Sequence, residues 1–172
     1  VEREVVTMHW KAKIATVAFG AALFAGITIP AASASTSDYP LCNVSGNALY
    51  GCAMAHGSLK AVTLVAPGTS HLTNFSYNSV TGQFQQASSS LCLEFNASSK
   101  TYPVRMDTCH DIPSQTWILA ATTSQGPPAF ELENSDSGTC LEGSETIGFG
   151  NQLTMSSCAP DYNGEFWNFE PS

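Results

Sequence analysis

The reactive side chains of this 172-residue sequence are Cys42, Cys52, Cys92, Cys109, Cys140 and Cys158, four histidines and fourteen carboxylates. Zinc would call for Cys pairs two to four residues apart or a closely spaced His pair, and neither occurs. An even cysteine count in an exported chain reads instead as three disulfides. His56, His71 and His110 stand far apart in the sequence, with no Gly-x-Ser-x-Gly elbow and no Gly-rich phosphate loop. Asp107, His110 and Asp111 flank Cys109 and have the composition of an acid–base group. A cysteine expected to be oxidised, in a turn after a strand, gives them a structural home. The sequence thus predicts no enzyme, no metal and no cofactor.

The elements that must hold these residues repeat. Ser90-Leu91-Cys92-Leu93-Glu94 matches Gly138-Thr139-Cys140-Leu141-Glu142 at an offset of 48. Val104 to Cys109 matches Leu153 to Cys158 at 49, and Gln115-Thr116-Trp117 meets Glu165-Phe166-Trp167 at 50. Two one-residue slips are what insertions in surface loops produce. A weaker copy lies upstream: Thr63 to Phe75 aligns with Arg105 to Trp117 at an offset of 42, with Phe75 at the tryptophan position and Pro67 at the second cysteine. Repeats of about 46 residues at 39–76, 77–122 and 123–172 follow. Within them, Val104–Met106 and Leu153–Met155 alternate as half-buried strands do. Gly, Pro, Asn and Ser turns separate the segments, and no long 3.6-period apolar stripe is present after residue 35. The expected fold class is all-β and closed, with four short strands per repeat.

The first 34 residues read as a signal peptide, not as part of the fold. Met8-His9-Trp10-Lys11-Ala12-Lys13 is a short basic start, Ile14 to Ile29 is apolar, Pro30 breaks any helix, and Ala32-Ser33-Ala34 suits a signal peptidase. An uncharged run of 16 residues falls short of the roughly 20 that a membrane span needs. Val1 to Thr7 fits poorly before such a start and reads as an over-extension, with Met8 as initiator. Residues 35–172 then form one domain, secreted and expected to be a monomer. Loss of Glu2, Arg3, Glu4, Lys11 and Lys13 leaves 3 basic and 12 acidic residues. With no basic patch, nucleic acid and anionic membranes are excluded as partners.

The pattern Cys-Leu-x, then hydrophobic-x-hydrophobic-x-x-Cys, then Gln-x-Trp resembles the ricin-B-type lectins, which are β-trefoils built of three such repeats. Repeats two and three carry it clearly, and repeat one is degenerate. The resemblance implies a β-trefoil in which Trp117, Trp167 and Phe75 share one core, and in which the Gln115 amide satisfies backbone groups of a neighbouring turn. Glu165, in place of glutamine, accepts hydrogen bonds but cannot donate while ionised, so the turn beneath it is expected to differ. The repeat register also implies the pairings Cys92–Cys109, Cys140–Cys158 and, because Pro67 replaces a cysteine, Cys42–Cys52.

The resemblance further implies binding of a glycan or polysaccharide. In such lectins a carboxylate two residues after the first cysteine accepts hydrogen bonds from sugar hydroxyls. Here those positions hold Glu94, Glu142 and Met54. The ring that stacks on the sugar, two residues before the second cysteine, is replaced by Asp107, Ser156 and Val65. The Asn before the Gln is replaced by Ser114 and Gly164, with Asn163 one residue away. Tyr102, Phe149 and Tyr162 are candidates for the missing ring, and the third repeat is favoured because Glu142, Phe149, Asn151 and Gln152 fall in one short span. Candidate sugar ligands are therefore Glu142, Phe149, Asn151, Asn163, Glu94, Asp107 and Gln115. The alternative is a secreted protein-interaction scaffold, such as a trefoil-type protease inhibitor, acting through loops at Gly57–Leu59 and Gly126-Pro127-Pro128. Sequons at Asn43, Asn74 and Asn96 would matter only in a glycosylating host.

Overall fold

The structure, a computed structural model, describes residues 38–45, 48–121, 129–143, 149–159 and 163–169, with the backbone alone for 45, 48 and 163. The segment 1–34 expected to be a signal peptide, the Gly126-Pro127-Pro128 loop and Tyr162 lie outside the described residues.

Among the described residues twelve strands fall four to a repeat: β1 (Tyr39–Ser45), β2 (Ala48–Ala55), β3 (Val62–Val65) and β4 (Asn74–Asn78); β5 (Gln83–Gln86), β6 (Leu91–Phe95), β7 (Val104–Thr108) and β8 (Trp117–Ala121); β9 (Phe130–Asn134), β10 (Cys140–Glu142), β11 (Thr154–Ser156) and β12 (Phe166–Phe169). The only helical pieces among the described residues are two 3-10 turns, Pro113–Gln115 and Asn163–Glu165. β4 continues through Tyr77 and Asn78, so the first unit ends two residues later than the repeat alignment places it.

The first and last strands of each repeat make a barrel. β1 pairs with β12 and β4, β4 with β5, β8 with β9, and β9 with β12, all antiparallel. The ring is completed where the Trp117 amide donates to the Gly82 carbonyl at 2.8 Å. Gly82 has φ +71°, and a Cβ there would lie 2.9 Å from Thr116 Cγ2 and 3.0 Å from the Trp117 oxygen. Only glycine allows that approach.

The middle strands of each repeat form hairpins, β2–β3, β6–β7 and β10–β11, that cap the barrel. The caps bond to each other: Leu59 N donates to the Met106 carbonyl, Leu64 N to that of Asn151, and Leu153 N to that of Val62. The Gly57–Leu59 segment is thus docked by its backbone on β7, while the Leu59 side chain stays exposed.

Equivalent residues fill the interior. Phe75, Trp117 and Trp167 are all buried in one cluster with Leu64, Leu93 and Leu141. Trp117 Nε1 donates to the Leu93 carbonyl at 3.0 Å, and Trp167 Nε1 to that of Leu141 at 2.9 Å. Phe75 keeps the ring and has no donor to place. A second equivalence, in two of the repeats, is built on asparagine. Asn43 Nδ2 donates to the Gly164 and Phe166 carbonyls, and Asn134 Nδ2 to the Ser114 carbonyl. Each asparagine, on the first strand of one repeat, braces the loop that ends the repeat beside it in the barrel. The disulfides are Cys42–Cys52, Cys92–Cys109 and Cys140–Cys158.

Candidate functional site

The hairpin registers place three sets of candidate residues in equivalent positions. Cys92, Glu94 and Phe95 of β6 face Asp107, Arg105 and Val104 of β7. Cys140 and Glu142 of β10 face Ser156 and Thr154 of β11, and Cys52 and Met54 of β2 face Val65 and Thr63 of β3.

In repeat two the carboxylate is consumed internally. Glu94, 5% exposed, accepts from Arg105 Nη2 at 2.8 Å through Oε1 and from Gln115 Nε2 at 2.9 Å through Oε2. The same Arg105 nitrogen donates to Asp107 Oδ2 at 3.0 Å. Gln115 is fully buried: its Oε1 accepts the His110 amide at 2.7 Å, and its Nε2 also donates to the Thr108 carbonyl. Gln115 therefore ties the turn after β7 to the floor of the pocket, as the motif implies. Asp107 is held at the rim by Arg105, and His110 and Asp111 lie exposed on the turn.

Repeat three is wired differently because Glu165 cannot donate. Its Oε2 accepts the Ala159 amide at 2.7 Å, the counterpart of the His110–Gln115 bond. Its Oε1 accepts from the Ser156 hydroxyl, which occupies the Asp107 position. Serine can donate where aspartate cannot, so the exchange of Asp107 for Ser156 matches that of Gln115 for Glu165. Glu142 is left half-buried, with Thr154 Oγ1 at 3.4 Å from Oε2. In repeat one Thr73 takes the glutamine position and its Oγ1 accepts the Ala55 amide at 2.8 Å; Met54 supplies no carboxylate.

The loop of the third hairpin points its ring toward repeat one. Phe149, 56% exposed, stacks on Tyr50 of β2 with ring centroids 6.4 Å apart and an interplanar angle of 28°. Asn151 is exposed, its carbonyl accepting the Leu64 amide, and Gln152 pairs with Thr63. The structure thus joins Glu94, Asp107 and Gln115 in one network. Phe149 lies at the seam of repeats one and three, against Tyr50. Asn163 begins the turn that carries Gly164 and Glu165. Tyr102 is half-buried, its amide bonded to Ser99 Oγ. Among the sequons, Asn43 is buried with its amide spent on two carbonyls, which leaves no room for a glycan.

Arg105 is the residue that the sequence reading missed. Setting Cys92 directly opposite Cys109 would bring Asp107 to Glu94; the actual register, with Cys92 opposite Asp107, brings Arg105 there instead.

A family model for the ricin-type β-trefoil lectin domain matches residues 52–167. No curated protein matches the sequence. Among solved structures, the hemolytic lectin CEL-III aligns with a TM-score of 0.59 at 16% identity, over 81% of this chain and 33% of that one. The designed threefold-symmetric protein ThreeFoil aligns at 0.61 and 13% identity, over 78% and 98%. SeviL, bound to asialo-GM1 saccharide, aligns at 0.55 and 15% identity, over 76% and 93%. This chain spans 33% of CEL-III and only 17% of a mosquitocidal holotoxin that it also matches. At these identities the likeness is one of fold.

Proposed function

This chain belongs to the ricin-type β-trefoil lectin family, and we propose that it is an exported carbohydrate-binding module without catalytic activity, taking a neutral glycan or polysaccharide through its third repeat. One observation carries the choice of repeat. Glu142 is half-buried opposite a threonine, whereas Glu94 is buried between a guanidinium and an amide. A carboxylate at the pocket surface can accept charge-assisted hydrogen bonds from sugar hydroxyls. One only 5% exposed, as Glu94 is, offers little.

The net charge of −8 favours a neutral ligand, because uronic or sulfated glycans would be repelled. Export is supported by the Met8–Ala34 pattern and by three disulfides, which persist in oxidising compartments.

The test is a glycan and polysaccharide array probed with the wild type and with Glu142→Gln. The wild type is expected to bind neutral saccharides. The variant exchanges a charged acceptor for a neutral amide, a loss of about 1.5–3 kcal/mol and thus roughly 10-fold or more in affinity. Its melting temperature is expected to stay unchanged. Undiminished binding by Glu142→Gln moves the site elsewhere, and no binding by the wild type favours a protein partner.

A further inference from the structure

The first repeat lacks a carboxylate, yet it holds a cavity that the other two have no reason to form. Two residues after the cross-strand partners Val65, Asp107 and Ser156 stand Pro67, Cys109 and Cys158. In repeats two and three that second cysteine bridges back to the first. Pro67 cannot, and Cys52 turns to Cys42 on β1 instead. No sulfur bridge then ties the segment after β3 to β2, and a cavity of about 440 Å³ opens between them.

Its chemistry is one-sided. Pro40, Leu49, Pro67 and Leu72 form walls around the buried disulfide, and the polar side chains are those of Thr69, His71 and Asn74. No carboxylate, ammonium or guanidinium lines it. The loop at its mouth is built rather than loose: the Thr69 amide and hydroxyl both donate to the Ala66 carbonyl. His71 is held at φ +70°, a conformation that disfavours any residue with a Cβ. Held strain of this kind clusters at ligand sites.

We propose that this cavity is a second ligand site, for a small uncharged aromatic ring bearing a hydroxyl group, independent of glycan binding. The volume falls in the range of small-molecule sites, which are mainly apolar with a few placed polar groups. Proline, leucine and sulfur suit a flat hydrocarbon ring, and Asn74 or His71 can bond one hydroxyl. A saccharide is hydroxylated around its ring and stacks on aromatic faces. Here the walls are aliphatic and the polar groups few.

The probe is 2-naphthol at pH 7, followed by ligand-observed NMR and by fluorescence, with 2-naphthoate as the charged analogue and glucose as competitor. One equivalent of 2-naphthol is expected to bind, with 2-naphthoate at least 10-fold weaker and glucose without effect. Leu49, 42% exposed at the rim, can be enlarged without disturbing the core. Leu49→Trp is expected to weaken 2-naphthol at least 10-fold, as is Thr69→Phe from the opposite rim, while array binding of glycans is unaltered. No binding of 2-naphthol, equal binding by both filled variants, or displacement by glucose would overturn the proposal. Near-ultraviolet dichroism of each variant checks that the fold is kept.

Discussion

Arg105 faces Glu94 across the β6–β7 hairpin, where Thr154 faces Glu142 and Thr63 faces Met54. That difference decides which carboxylate stays near the surface. In Arg105→Thr, Glu94 keeps Gln115 but loses its cation, and a partly exposed pair of this kind costs about 1–3 kcal/mol when broken. Urea unfolding is expected to show that loss, with saccharide binding at repeat three unchanged. The opposite result, full stability, would mean that the ion pair does not hold the carboxylate. Glu165 offers a second test. Glu165→Gln can accept the Ala159 amide as Gln115 accepts that of His110, and its NH₂ can donate to Ser156 Oγ. Its stability is expected within about 1 kcal/mol of the wild type, whereas Glu165→Leu, which orphans the Ala159 amide, costs roughly 1–3 kcal/mol. The acceptor role of Glu165 was legible in the sequence. The compensating serine was not, because hydrogen-bond partners across a hairpin appear only once its register is fixed.

At the scale of elements, the repeated strands were legible because cysteines, tryptophans and alternating apolar residues recur at nearly constant offsets. The asparagine brace was hidden. Asn43 sits in a strand and inside a sequon, and asparagine ordinarily signals a turn or a modification site. Its burial follows from a third neighbour, the Gly164–Phe166 backbone, which lies 121 or more positions away. The tryptophan triplet gives the quantitative test of the barrel. Trp117→Ala is expected to cost about 3–5 kcal/mol, the range for large aromatic truncations. Trp117→Phe, which copies the natural Phe75, keeps the ring and loses only the bond to the Leu93 carbonyl plus part of the ring volume. It is expected to cost distinctly less, and equal losses in denaturant unfolding would contradict the shared-core packing.

Across the whole molecule, three copies of one unit share a barrel and a core but differ wherever a ligand would sit. Repeat two closes its pocket with an ion pair, repeat one replaces the carboxylate with Met54 and shifts its disulfide, and repeat three keeps Glu142 near the surface. The core was readable because the apolar pattern recurs in all three copies and the cysteine register in two of them. The candidate sites were not, because a Glu two residues after a cysteine looks the same whether Thr154 or Arg105 faces it. The account's central claim is one carbohydrate site at repeat three, and a ¹H–¹⁵N chemical-shift map of the protein titrated with its best array saccharide tests it directly. Shifts are expected to centre on Glu142 and Thr154, with Glu94, Arg105 and Met54 unmoved. Shifts centred on Glu94 and Asp107, or equal shifts in all three hairpins, would contradict it.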